Sequence, residues 1–413
     1  MPTPIPDPVP GPSSGGFGRS RIITRRQLLR NAGAGVAGVS LAAFLAACGT
    51  SSPSASGGAF DWSAQKQAGQ FTFANWPFYM DKAKVNGEAV HPSLERFTKD
   101  TGITVDYLEI IDDYASFFAK IKPELAADRS TGFDVIVMGY PRWFPLMIAL
   151  DYLIPLDNSL LPHFNANAAD IFKDPPFDPN HRHGLPFASG MTGIGYNPDQ
   201  TGREITSVMD LFDPAFEGKV GMFGDTEDMP NLTLLGMGVE PSDSTPSDWN
   251  AAADLLREQR DKGIVRKYYG QGYIGDLQSG DLALSMAWSP DIHQSNISGY
   301  PDMKFAVPTE GVLQWTDYLC IPNGAEHPLD AITYLDYVFK PEIAAMMTSW
   351  IGAIPPVPGA QDVLKSTGFK DIADSPLIFP TPDMTAQIHP YRVLSNTEQE
   401  TWDETFLNVI NGG

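Results

Sequence analysis

Four close-set pairs of aromatic and acidic residues carry the chemistry this chain can do: Trp76 with Tyr79, Asp225 with Asp228, Trp288 with Asp291, and Trp315 with Asp317. Indole and phenol faces attract a cation by about 0.5–2 kcal/mol each. A carboxylate can replace the water that an ammonium loses on burial. Strand alternation puts Trp315 and Asp317 on one face. Asp225 and Asp228 have a second reading, because Asp-x-x-Asp ahead of Met229–Leu235 is also how a helix N-terminus looks. A secreted hydrolase with paired carboxylates is the other class these two could serve. Two aspartates three apart at one helix start do not face each other across a substrate, as such an acid/base pair must.

Other chemistry finds little support. Beyond residue 47 the chain has no Gly-x-Ser-x-Gly nucleophile elbow. His181-Arg182-His183 lies among Pro, Asp and Asn residues with no supporting cysteine or carboxylate, so it reads as a solvated loop rather than a metal site. Tyr268-Tyr269 could ligate ferric iron, but an aromatic strand start explains the pair without metal. Neither metal nor cofactor is expected.

The elements that must position these residues begin near residue 70. Gln70–Trp76 reads as a strand, Pro92–Thr101 as a helix stopped by Gly102, and Ile103–Tyr107 as a second strand. Tyr114–Asp128 reads as another helix and Phe133–Met138 as a buried strand. This β-α-β-α-β run predicts a parallel sheet with binding loops at the strand C-termini. Gly184–Asn197 then reads as a chain crossing to a second lobe, with Met303–Pro308 as a later crossing followed by helix-rich sequence to Lys340. No repeat of 20–50 residues suggests a solenoid or propeller.

The N-terminus fixes the expected address. Arg25-Arg26 ahead of a short, glycine-broken apolar run, Ala32–Ala47, reads as a twin-arginine export signal rather than a spanning helix. Leu45-Ala46-Ala47-Cys48 resembles a lipobox, which would make Cys48 the lipidated N-terminus of an extracytoplasmic protein tethered to the cell membrane. Residues 48–65 read as a flexible Gly/Ser tether. Removing 1–47 from the 413 residues leaves 366, enough for two ordinary domains. The removed piece holds five arginines and one aspartate, so the net charge goes from −22 to −26. Such a surface disfavours nucleic acid and favours cationic partners. With Cys48 committed to lipid, Cys320 in Tyr318–Ile321 has no disulfide partner and reads as a small buried hydrophobe.

At this point the chain resembles a family. Asn75-Trp76-Pro77-Phe78-Tyr79 is similar to the Asn-Trp-x-x-Tyr opening of the spermidine/putrescine-binding proteins of ABC transporters. Phe97–Val105, Phe133–Val137, Pro186–Asn197, Gly280–Trp288 and Glu310–Pro322 agree with that family in order and spacing, over roughly residues 70–350. The resemblance implies an α/β fold of two lobes, periplasmic-binding-protein-like (type II), with a ligand cleft between them. Its expected division is 66–187 with 309–385, and 188–308 with 386–413. It implies a monomer that closes on putrescine or spermidine and delivers it to a permease driven by an ATPase, without catalysis. Trp76, Tyr79, Asp225, Asp228, Trp288, Asp291, Trp315 and Asp317 match the family's ligand-binding positions. Tyr140 would stand in for an aromatic that relatives carry after the corresponding strand, and no C-terminal polar contact can be matched near Arg392. Within the same fold, the alternative cargo is another organic cation or amino compound, and the alternative role is a surface receptor.

Overall fold

The structure is a computed structural model that describes residues 60–412. The export signal, Cys48 and most of the expected tether lie outside the described residues. The folded part begins before residue 66. Trp62–Ala64 form one 3-10 turn, and the Trp62 indole donates to the Pro155 carbonyl at 2.9 Å. A half-buried indole donating to a carbonyl of the folded part is not a free linker residue.

The described residues form twelve strands: β1 (Gln70–Asn75), β2 (Ala83–Val85), β3 (Glu88–Val90), β4 (Thr104–Glu109), β5 (Val135–Tyr140), β6 (Gly184–Tyr196), β7 (Val220–Phe223), β8 (Val265–Tyr269), β9 (Leu284–Trp288), β10 (Lys304–Ala306), β11 (Val312–Cys320) and β12 (Ile388–His389). The hairpin β2–β3 stands apart, and the main sheet runs β4-β1-β5-β11-β6-β9-β7-β8. Both ends of that sheet are parallel: β1 pairs with β4 and β5, and β7 with β8 and β9. The middle is antiparallel, because β11 runs against both β5 and β6, and β6 against β9. Two parallel α/β halves are thus joined through two long central strands.

The expected β-α-β-α-β run is present at the first end. The helix Pro92–Thr101 ends at Gly102, whose φ of 77° lets its N–H reach back to the Thr98 carbonyl. The second helix covers Tyr114–Leu125, started by the Asp113 carboxylate accepting from the Ser116 N–H. Phe97 packs edge to face on Phe71 and Tyr334, and Phe73 leans on Tyr334 at a tilt, in the core of this half. The other half packs around Trp249, Phe223, Tyr273 and Leu284, and the C-terminal helix Asn396–Ile410 closes it by setting Trp402 against Trp249. Gly184–Tyr196 is the buried crossing strand β6. The expected later crossing at Met303–Pro308 forms β10 on the far end of β6, and the chain then runs as β11 between β5 and β6.

Candidate functional site

The chemistry gathers at the C-terminal ends of the parallel strands, where an α/β sheet leaves a crevice. Asn75, the last residue of β1, shapes the first loop. Its amide donates to the Tyr79 carbonyl at 3.1 Å and its oxygen accepts from the Trp76 N–H at 2.8 Å. Phe78 completes that turn in the left-handed region, φ 62°. The result presents Trp76 and Tyr79 to Asp317 of β11. Tyr79 donates to Asp317 Oδ2 at 2.7 Å, and Tyr114 donates to Oδ1 at 2.6 Å. Trp76 packs edge-on against the Tyr114 ring, with centroids 4.9 Å apart.

Gly139 of β5 makes this contact possible. It is the register partner of Asp317, and a Cβ there would lie 2.6 Å from Tyr114 Cε2. Gly139→Ala is therefore expected to destabilise the fold by about 1–3 kcal/mol, the usual cost of overpacking. The reading is a lower urea midpoint at unchanged m-value; an unmoved midpoint would mean that the Tyr114 ring is free to swing away. Tyr140, the expected stand-in, stacks on Phe177 at 4.5 Å instead.

The second half contributes a matching group. Trp315 of β11 lies over Gly190 of β6, where a Cβ would meet its ring at 2.2 Å, and it packs on the second core. Asp228 opens the helix Asp228–Gly236. Its Oδ2 accepts from the Trp288 indole at 2.8 Å, and its Oδ1 accepts from Thr192 at 2.8 Å and from the Tyr391 hydroxyl. Asp291, in the first turn of Ser289–Ile297, accepts from Tyr273 at 2.7 Å. Asp225 does what the helix-start reading expects: its Oδ1 accepts from the N–H groups of Glu227 and Asp228 at 2.9 and 2.5 Å.

Every donor to Asp228, Asp291 and Asp317 is a neutral hydroxyl or indole, and no ion pair among the described residues includes these three or Asp225. Burial accordingly raises all four acids. It pushes Asp317 up to about 6, with Asp228 adding like-charge repulsion, and Asp291 to about 6. Asp228 is raised by burial, and Asp225 is held well above the usual carboxylate range by burial and then by Asp228 and Glu227. The arrangement is a set of carboxylates beside aromatic rings with no cation paired to them, which suits a cation.

Of the eight residues singled out from the sequence, Trp76, Tyr79 and Asp317 gather around Tyr114, and Asp228, Trp288 and Asp291 are linked through Tyr273, whereas Trp315 leans on a core and Asp225 spends an oxygen on a helix start. Tyr114, Thr192, Tyr273 and Tyr391 were missed. Tyr114 sat in plain view at a helix start beside an aromatic-rich run, whereas Tyr391 lies 163 residues from Asp228 with no local signal. The two rejected metal motifs are engaged elsewhere. The His181 nitrogens face the Gly184 and Phe172 carbonyls, and Tyr269 donates to Asp276 at 2.6 Å.

A family model described as "Bacterial extracellular solute-binding protein" matches residues 93–380. The putrescine-binding periplasmic protein SpuD of Pseudomonas aeruginosa is 26% identical over 338 residues, covering 78% of this chain and 88% of that protein. The spermidine/putrescine-binding periplasmic protein 1 of Haemophilus influenzae is 27% identical over 298 residues, covering 72% and 79%. Among solved structures, the spermidine/putrescine ABC transporter substrate-binding protein PotD of Streptococcus pneumoniae superposes with a TM-score of 0.69 at 21% identity, over 82% of this chain and 98% of that one. The fold is the two-lobe, type II periplasmic-binding-protein-like fold, with its ligand cleft between the lobes.

Proposed function

Because the chain belongs to the bacterial extracellular solute-binding protein family, we propose that it captures a polyamine, putrescine or spermidine, and hands it to a membrane permease driven by an ATPase. The observation that carries this reading is that Asp228 and Asp317 are buried on neutral donors, Asp228 on the Trp288 indole and Asp317 on Tyr79 and on the Tyr114 that Trp76 packs against, with the half-buried Asp291 held by Tyr273. A polyamine is a methylene chain with ammonium groups a few carbons apart. Its carbons fit flat indole and phenol faces, and its charges fit the unmatched carboxylates. The names of the relatives point the same way.

Trp76, Tyr79, Asp225, Asp228, Trp288, Asp291, Trp315 and Asp317 are the proposed ligand contacts, joined by Tyr114 and Tyr391. The proposed lobes are 66–187 with 309–385, and 188–308 with 386–413. Ligand touching both groups binds the closed form better than the open one, and that difference drives the hinge. The address is the outer side of the cell membrane, with Cys48 as lipid anchor after twin-arginine export, and the chain works as a monomer. Titration calorimetry with putrescine, spermidine and unrelated solutes tests the cargo. Heat is expected only with the amines, and none with either at millimolar concentration would end the polyamine reading.

A further inference from the structure

Of the proposed ligand acids Asp228, Asp291 and Asp317, Asp291 is the least tied. Asp317 holds two tyrosine hydroxyls, and Asp228 holds an indole and two hydroxyls. Among the described residues Asp291 accepts one hydrogen bond, from Tyr273 at 2.7 Å, and it engages Oδ2 alone. A carboxylate with a single donor has other rotamers open to it, so that donor decides where its charge points.

The donor itself is fixed. Tyr273 opens the short helix Tyr273–Ser279 and is 0% exposed. Its ring packs edge-on against Phe223 at 5.4 Å and against Trp288 at 6.2 Å. Burial, and then the charge of Asp291, hold its phenol well above the usual tyrosine range, so the hydroxyl keeps its proton. With that proton turned to Asp291, the same oxygen accepts from the Trp288 N–H at 3.0 Å. One atom therefore ties the backbone of Trp288 to the side chain of Asp291. Trp288 is held at its other end as well, because its indole donates to Asp228 at 2.8 Å and its ring lies 4.4 Å from Phe223. The bonds N–H to hydroxyl and hydroxyl to carboxylate run in one direction, and bonds in such a chain polarise one another.

We propose that Tyr273 is a positioning residue for the ligand site: its hydroxyl fixes Trp288 and aims Asp291, and through Trp288 it joins Asp291 to Asp228 as one unit. This deepens the polyamine reading above and rests on it. Tyr273 has no exposed surface to offer a ligand, so it acts through its two partners. An acid aimed in advance does not have to be ordered when the ammonium arrives, and that saving is the gain in affinity.

The test is a double-mutant cycle read by titration calorimetry with putrescine at pH 7.5, on the unaltered protein, Tyr273→Phe, Asp291→Asn and the double variant. Phenylalanine keeps the ring against Phe223 and Trp288 and removes only the oxygen. Tyr273→Phe is expected to weaken putrescine binding about tenfold, the scale of one hydrogen bond to a charged group. In the Asp291→Asn background the same change is expected to cost less than about threefold, because the charge it aims is gone. An equal loss in both backgrounds, the mark of a residue that only packs the core, overturns the inference, and so does no loss in either. A second measurement needs neither ligand nor a folded Tyr273→Phe protein. Asp291→Ala leaves the Tyr273 hydroxyl free to turn, and hydrogen exchange at the Trp288 amide of the ligand-free protein is expected to quicken about threefold or more. An unchanged exchange rate overturns the inference. Failure of the unaltered protein to bind either putrescine or spermidine is a separate result: it ends the polyamine reading, and with it the ligand role given to Tyr273, whatever the exchange rate shows.

Discussion

Putrescine affinity is expected to fall about 100-fold between pH 7 and pH 5, because Asp291 and Asp317 must both be ionised to hold a dication. Each is raised to about 6 by burial. At pH 7 about nine-tenths of each is ionised before ligand arrives, and at pH 5 about one-tenth, so both are ionised in about one molecule in a hundred. The ligand's amines, with pKa near the lysine value of about 10.4, keep their charge throughout. Asp225 and Asp228 are raised as well and act in the same direction. Titration calorimetry at four or five pH values, in buffers of different ionisation enthalpy, reads both the affinity and the protons released on binding. A flat affinity from pH 7 to pH 5 with no proton release would mean that these carboxylates do not carry the ligand charge.

The same acids set the stability of the protein before ligand binds. A carboxyl whose folded pKa lies above its unfolded value holds its proton more tightly when folded, so its contribution is fully present below about pH 4 and is lost as pH rises through about 6. Thermal melts are therefore expected to show the ligand-free protein losing stability from pH 5 to pH 7.5, and putrescine restoring more at pH 7.5 than at pH 5. Equal stabilisation at the two pH values would contradict the linkage.

What the sequence made legible, and what it hid, follows from distance along the chain. The parallel run from Gln70 to Tyr140 is local: apolar strands, a helix stopped by Gly102 and a helix capped by Asp113 each lie within a few residues of their cause. Trp315 and Asp317 could be placed on one face because alternation needs only three residues. The placements of Gly139, Tyr114 and Tyr391 depend on register and on the return of the C-terminal chain. Gly139 matters because β11 sets Asp317 beside it, and Tyr391 because the chain comes back to Asp228 after the second lobe is complete. No local pattern encodes either. Asp225 is the instructive middle case, since a helix start and a ligand contact want the same residue at the same place, and the structure shows the first use directly.

Asp317→Asn separates binding from folding more sharply than any other single change. In the unaltered protein the carboxylate is 8% exposed and holds two tyrosine hydroxyls with no cation. Keeping it charged at neutral pH costs about 3 kcal/mol, from a rise of roughly two pKa units above the ordinary aspartate value. Asparagine has nearly the same shape, accepts from one tyrosine through its oxygen and donates to the other through its amide, and carries no charge to desolvate. The ligand-free variant is therefore expected to melt a few degrees higher than the unaltered protein at pH 7.5, with the gap closing at pH 5 where Asp317 is already protonated. Its putrescine affinity is expected to fall about 100-fold, because an ammonium left without its carboxylate loses about 3 kcal/mol. The two effects have one cause, a charge that the fold tolerates only because a cationic ligand relieves it. A variant that melts lower at pH 7.5 while binding putrescine as before would assign Asp317 to the scaffold and leave Asp228 and Asp291 to hold the ligand.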